Sequence, residues 1–382
     1  MEKIRLYPTL LILLTVFTAS ARQKLAIKNH NERGFAITHG ERLLAHGDTP
    51  IDTATACPAF HWWMNAMKKV LENGDAEVRA SKPDPTKYPP SVGPLLTSTW
   101  GQKPPYNYMC PLVEPTPWGG YQPDQQHCLA GCVAVAMGQL MRYHRWPIHG
   151  EGEHSLQYQG TIDLTVNFGE ATYDWDNMLD DYSGDYSETE GRAVAQLLYH
   201  CAVSTDMVFN KSWSFSTNFT AAKALSTYFG YDPSTMSTCM RYFYTRNQWM
   251  EMVYEELSQG RPIFYEAIDI EGNNAHSFVI DGYDEQGLVH VNWGWYGHEN
   301  GYYDISLLNP QSYQFDDYQD MTIGIKPEGQ YTGIESHTDY TPTSDVYTLD
   351  GRLVRRNATS LNGLPVGIYI WKGRKTAINI KK

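Results

Sequence analysis

Apolar positions fall into short runs of differing period along this chain. Val133 to Met141 is almost continuously apolar and closes on Arg142-Tyr143-His144, a helical stretch entered through Gly131-Cys132. His61-Trp-Trp-Met-Asn-Ala-Met-Lys-Lys-Val-Leu71 is amphipathic at helical spacing. Asn274-Ala-His-Ser-Phe-Val-Ile-Asp-Gly-Tyr283 and Leu288-Val-His-Val-Asn-Trp-Gly-Trp295 read instead as strands rich in Val, Ile and aromatics. Asp284-Glu-Gln-Gly287 between them has turn chemistry, which predicts a hairpin. If Tyr283 and Leu288 close that turn, His276 falls opposite Trp295. Asp345 to Val354, Gly367 to Gly373 and Thr376 to Lys381 also alternate like strands, with glycines between them. Ser81 to Pro90 resists regular structure, because its prolines remove donors and restrict their neighbours.

The chemistry concentrates where the first helical run begins. A cysteine behind a glycine at a helix N-terminus meets unpaired N–H groups that favour the thiolate, the nucleophilic form. Gln126, six residues before Cys132, is a candidate side-chain donor to the oxyanion formed when a thiolate attacks a carbonyl. On the predicted hairpin, His276 is the candidate general base, and Asn292 a candidate acceptor for an imidazole N–H. The neighbouring tryptophans would screen that contact from water.

The order Gln126, Cys132, His276, Asn292, with separations of six and sixteen residues inside the two pairs, is similar to the papain group of cysteine proteases. The flanking sequence resembles the streptopain-like cysteine peptidases more closely. Gly131-Cys-Val-Ala134 runs into a helix ending Tyr143-His-Arg-Trp-Pro147, and His276-Ser-Phe-Val-Ile-Asp-Gly282 is followed by His290-Val-Asn-Trp-Gly-Trp295. Pro105-Tyr-Asn107, Tyr173-Asp-Trp-Asp-Asn177, Tyr182-Ser-Gly184, Leu308-Asn-Pro310 and Ile323-Gly-Ile-Lys-Pro327 extend the resemblance over roughly residues 88–327. It implies an α+β, papain-like two-lobed fold, with a helical lobe headed by Cys132 facing an antiparallel sheet lobe that carries His276 and Asn292. It also implies Cys132 as nucleophile, His276 as base and acid, Gln126 and the Cys132 N–H as oxyanion donors, and Asn292 and Trp293 as orienting residues. Asp269 to Ala275 departs from the glycine-rich loop of the family, which borders its substrate cleft.

The ends of the chain add three expectations. Lys3 and Arg5, the apolar stretch Leu10 to Phe17 and Ala19-Ser-Ala21 form an export signal over 1–21. Residues 22–87 read as an α+β pro-segment, in which Gly34-Phe-Ala-Ile37 resembles a propeptide strand of the family, with cleavage expected near 82–90. Residues 344–382, after a linker at 331–343, resemble the C-terminal sorting domain of the type IX secretion system of Bacteroidetes, through Asp350-Gly-Arg352 and Leu364-Pro-Val-Gly-Ile-Tyr-Ile370. The catalytic domain lies between, at 88–330.

Charge narrows the partners. The net charge is −13, yet residues 351–382 hold eight Lys/Arg and no Asp/Glu. The remaining chain is therefore strongly acidic, which argues against nucleic acid. Six cysteines in a chain of 382 residues do not make a disulfide scaffold, and the pairing of Cys110, Cys128, Cys201 and Cys239 stays open. His149-Gly-Glu-Gly-Glu-His154 lacks metal-site register, so no metal or cofactor is expected. The function expected is a secreted or surface-exposed cysteine endopeptidase made as a zymogen. Its partners would be protein or peptide substrates, its own pro-segment as intramolecular inhibitor, and the secretion machinery. Two alternatives share the sequence features: a papain-fold amidase or acyltransferase, and a surface binding protein on a dead protease scaffold.

Overall fold

The computed structural model describes residues 25–30, 34–72, 82–113, 126–269, 274–306, 317–329 and the strands within 344–378. The expected signal at 1–21, the linker at 331–343, Leu308-Asn-Pro310 and most of the 269–275 loop lie outside the described residues.

Nine antiparallel strands form the central sheet, in the order β1-β2-β3-β10-β9-β8-β7-β11-β6. They are β1 (Leu25–Asn29), β2 (Phe35–His39), β3 (Arg42–Gly47), β6 (Ser237–Met240), β7 (Ile263–Asp269), β8 (Asn274–Tyr283), β9 (Val289–Asn292), β10 (Gly301–Tyr303) and β11 (Asp317–Ile323). The first three belong to the expected pro-segment and join the sheet through β3 and β10, with His46 opposite Tyr302. The predicted hairpin is β8–β9. Asp284 closes it by accepting the N–H groups of Gln286 and Leu288 at 2.9 Å. A bulge between Ile280 and Gly282 then sets Val279 opposite Asn292.

Each face of the sheet closes its own core. Along β8, Val279 packs into a core with helices α2 (Cys132–His144), α3 (Glu188–Ser204) and α4 (Asn218–Tyr228). Phe278 and Ile280 pack on the other side with Trp249 of α5 (Arg246–Ser258), Trp293 and Tyr303. That second core also takes in Phe35, Ile37, Leu44 and Trp63, so strands β2 and β3 and helix α1 (Pro58–Glu72) share apolar burial with β7 to β11. Gly138 makes the α2–α3 contact possible: a Cβ there would come within 2.4 Å of Leu198.

Residues 82–90 form no regular element, as their prolines predict, but they are pinned to α5. Tyr88 is buried, and its hydroxyl donates to Glu251 at 3.0 Å, as does the Lys87 ammonium at 2.7 Å. Strands β4 (Glu153–Tyr158) and β5 (Ile162–Asn167) form a separate hairpin. At the C-terminus β12 (Ser344–Thr348), β13 (Leu353–Ala358), β14 (Gly367–Trp371) and β15 (Arg374–Ile378) form a four-stranded antiparallel sheet around Val346, Ala358 and Tyr369. All six cysteines are free thiols.

Candidate active site

Cys132 is the first residue of α2. Gly131 before it has φ +92°, a conformation that side-chain-bearing residues rarely adopt, and the side chain of Met207 fills the space a Cβ would need. No side chain caps this helix end, which leaves its N–H groups to the sulfur. Burial pushes the thiol pKa up. The N–H and hydroxyl of Ser277 and the N–H groups of Val133 and Cys132 oppose that shift by favouring the thiolate.

His276 is buried on β8, and its Nε2–H donates to the carbonyl of Trp293 at 2.8 Å. Its ring packs on Phe278 and meets Trp295 edge-on at 6.4 Å, consistent with the register predicted from the turn. Burial lowers the imidazole pKa, while the Trp293 carbonyl and the Glu266 carboxyl act in the other direction. In the neutral ring the bond to Trp293 leaves Nδ1 without a proton, as a base requires. Among the described residues the imidazole and the Cys132 thiol are not hydrogen-bonded to each other. Ser277 and Val279 face α2, and His276 stacks with Phe278 on the opposite pleat.

The structure does not place Asn292 against the imidazole, and that expectation is corrected. Its amide donates to the Ser98 carbonyl at 2.8 Å and pairs with the Gln139 amide of α2, while its Oδ1 accepts the Gly294 N–H at 3.1 Å. The reason is the pleat: Asn292 stands opposite Val279, on the α2 face, whereas His276 follows the other face. Gln139 does not stand out in the sequence. Its signal is a lone polar residue two helical turns after Cys132 inside an apolar run. It also accepts from Ser98 and from the Trp100 N–H, both at 3.1 Å, and so ties the helix headed by Cys132 to the sheet that carries His276. Trp293 supports the histidine through its backbone carbonyl. Its indole is buried and donates to the Glu299 carbonyl at 3.0 Å.

Gln126 has an exposed side chain without a hydrogen bond among the described residues, and its carbonyl accepts the Val113 N–H. Gln102, which carries no motif in the sequence, is only 6% exposed. Its carbonyl accepts the N–H of Ala130 at 3.1 Å, two residues before Cys132. Its side-chain amide has no partner among the described residues.

Comparison with known proteins finds a family and several relatives. The signature of the Peptidase C10 family matches residues 100–303. Streptopain of Streptococcus pyogenes is 31% identical over 255 residues, which cover 62% of this chain and 63% of streptopain. The chain therefore matches less than two thirds of that relative's length. The thiol protease/hemagglutinin PrtT of Porphyromonas gingivalis is 32% identical over 313 residues, 72% of this chain and 33% of PrtT. Among solved structures, a prointerpain A fragment from Prevotella intermedia superposes with a TM-score of 0.70 at 36% identity, covering 80% of this chain and 96% of the fragment. Active interpain A from the same organism gives a TM-score of 0.56 at 41% identity, covering 64% of this chain and 99% of that one.

Proposed function

The chain belongs to the Peptidase C10 family, and from that premise we propose that it is a cysteine endopeptidase made as a zymogen. The observation that carries this is Cys132 at the uncapped start of α2, with helix N–H groups on its sulfur, beside the strand that bears His276. Cys132 as thiolate attacks the peptide carbonyl. His276, through Nδ1, takes the thiol proton and returns it to the leaving amine, and water then hydrolyses the thioester. The Cys132 N–H is one oxyanion donor. For the side-chain donor we favour Gln102 over Gln126, since Gln102 is largely enclosed and its carbonyl is bonded to Ala130 of the nucleophile segment, whereas the Gln126 side chain is exposed.

Residues 22–87 act as the pro-segment. Support comes from the shared core, and from the greater coverage of this chain by the prointerpain A fragment than by active interpain A. Pro-segment contacts flank β10, one in the loop that follows Trp293 and two at Asp304 just after the strand. The Cys57 N–H donates to Glu299 at 3.2 Å, the Trp63 indole donates to the Asp304 carbonyl at 3.1 Å, and Arg42 pairs with the Asp304 carboxylate at 2.9 Å. The state with imidazole and thiol apart is thus the latent one. Export through the 1–21 signal, and sorting by residues 344–382 to the exterior or outer-membrane surface, complete the proposal. No described helix is long and apolar enough to cross a membrane.

The test is labelling with an irreversible epoxide inhibitor, before and after trimming near 82–90, followed by peptide mapping. Modification of Cys132 only after trimming is expected. Labelling of the untrimmed protein would remove latency, and no labelling in either form would remove the enzyme.

A further inference from the structure

A row of polar side chains crosses three strands beside Cys132. Asp320 on β11 stands directly opposite Glu266 on β7, and Glu266 directly opposite Ser277 on β8. Directly opposed residues share a face with Cβ atoms about 5 Å apart. All three are buried, at 0%, 2% and 2% exposure, and no salt bridge among the described residues neutralises the two carboxyls. Asn218, at the start of α4, holds both: its N–H donates to Glu266 Oε2 at 3.1 Å and its side-chain amide to Asp320 Oδ1. Asp320 Oδ2 is buried without a hydrogen bond, and the Tyr318 hydroxyl faces the same carboxyl. Glu266 Oε1 meets the Ser277 hydroxyl at 3.5 Å. That hydroxyl also faces the Cys132 sulfur.

We propose that Glu266 and Asp320 share one proton, and that Glu266, while holding it, is the positioning residue that turns the Ser277 hydroxyl onto the Cys132 thiolate. The inference rests on the endopeptidase reading above. Its logic is the proton count. Serine has a single hydroxyl proton. An ionised Glu266 claims that proton and sets a negative charge beneath the sulfur. A protonated Glu266 donates to Ser277 Oγ, which frees the serine proton for the thiolate. Two opposed, buried carboxyls cannot both ionise cheaply, so the dyad keeps its proton. Burial first, then the Asp320 charge, raise Glu266 well above the usual carboxylate range; burial raises Asp320 as well. The ionisable groups facing Glu266 are Asp320 and Tyr318 from β11, Cys132 from α2 and His276 from β8. Ionised Glu266 would support the imidazolium while opposing the thiolate, and the Ser277 contact gives the second effect the shorter path.

The experiment is the pH profile of kcat/KM for the trimmed enzyme on a peptide substrate. Glu266→Gln, a fixed stand-in for the protonated acid, should stay active at neutral pH and move the alkaline limb up by about one pH unit. Asp320→Asn removes the charge that holds the proton on Glu266, and should move the same limb down. Glu266→Ala should lose about tenfold at neutral pH, the cost of one hydrogen bond to a charged sulfur, and nothing on the alkaline side, where ionised Glu266 has already given that bond up. Opposite shifts from adjacent carboxyls are not a property of structural residues. An unchanged limb in both conservative variants overturns the proposal. Should a variant not fold, infrared spectroscopy of the wild type decides: a protonated carboxyl band must persist at neutral pH and fade along the alkaline limb, and its absence at neutral pH overturns the proposal equally. A wild-type enzyme without cleavage or Cys132 labelling instead removes the endopeptidase reading, and the relay with it.

Discussion

The Nε2–H of His276 donates to the backbone carbonyl of Trp293 at 2.8 Å, and the side chain of Asn292 next to it points through the sheet to Gln139 of α2. Orientation of the imidazole is therefore a main-chain function here, and Asn292 joins the two lobes. Asn292→Ala should lower the melting temperature, with about 1–3 kcal/mol lost from the unpaired Gln139 amide. Turnover at a temperature where the variant is folded should fall less than about tenfold, against about a thousandfold or more for His276→Ala. Thermal unfolding measured beside steady-state kinetics separates the two. A kcat loss for Asn292→Ala equal to that of His276→Ala would return the asparagine to the imidazole.

The two glutamines make a second comparison. Removing a side-chain oxyanion donor costs about 100- to 1000-fold in kcat with little change in KM. Gln102→Ala should show that loss and Gln126→Ala should not, since the Gln126 side chain is exposed. The reverse result would place Gln126 at the oxyanion in the active form.

Arg42 and Asp304 form a largely enclosed ion pair between the proposed pro-segment and the proposed catalytic region, with side chains 11% and 8% exposed. Arg42→Ala leaves the Asp304 carboxylate without that partner, and breaking such pairs costs about 3–5 kcal/mol. The pro-segment should then release more readily. Epoxide labelling of Cys132 in the untrimmed Arg42→Ala protein should be faster than in the untrimmed wild type. Equal labelling rates would show that the pair does not govern latency.

Much of this arrangement is legible in the sequence because it depends on local signals. Gly131-Cys132 before an apolar run marks α2, and Asp284-Glu-Gln-Gly287 marks the β8–β9 turn. The turn alone also places His276 by Trp295, although Tyr283 actually pairs with Val289. The bulge near Gly282 restores the register, so that placement stands for a reason the sequence does not display. Asn292 is misplaced by the sequence pattern because its separation from Trp295, an odd number of residues, reverses the pleat face. Gln102, Gln139 and the Asp320–Glu266–Ser277 row escape a sequence reading because each depends on pairing between distant segments. The Glu266 and Asp320 positions look like ordinary strand-surface acids until β7 and β11 are set side by side.

Stability against pH is the last prediction, and its contributions oppose one another. Burial lowers His144 and His200 of the helical lobe to about 4 from an ordinary 6.5. Both are paired with tyrosine hydroxyls, Tyr231 at 3.1 Å and Tyr173 at 3.0 Å. A depressed folded-state pKa means that the unfolded chain takes up the proton first. Their contribution is full above pH 6.5 and is lost as pH falls toward 4, each tenfold difference in proton affinity being worth about 1.4 kcal/mol. Glu266 and Asp320 have raised folded-state pKa values and act in the opposite sense: their contribution is full below the ordinary carboxylate range and is lost as pH rises. The wild-type curve between pH 4.5 and 6.5 should consequently be shallow, because two steep dependences cancel, and it should fall above pH 6.5, where only Glu266 still contributes a slope. Urea unfolding of variants exposes each one. His200→Gln should gain stability relative to wild type as pH falls through this range, and Glu266→Gln should lose it. Differences from wild type that stay constant with pH in both variants would mean that neither group titrates differently on folding. The single shared proton beneath Cys132 would then have no thermodynamic basis.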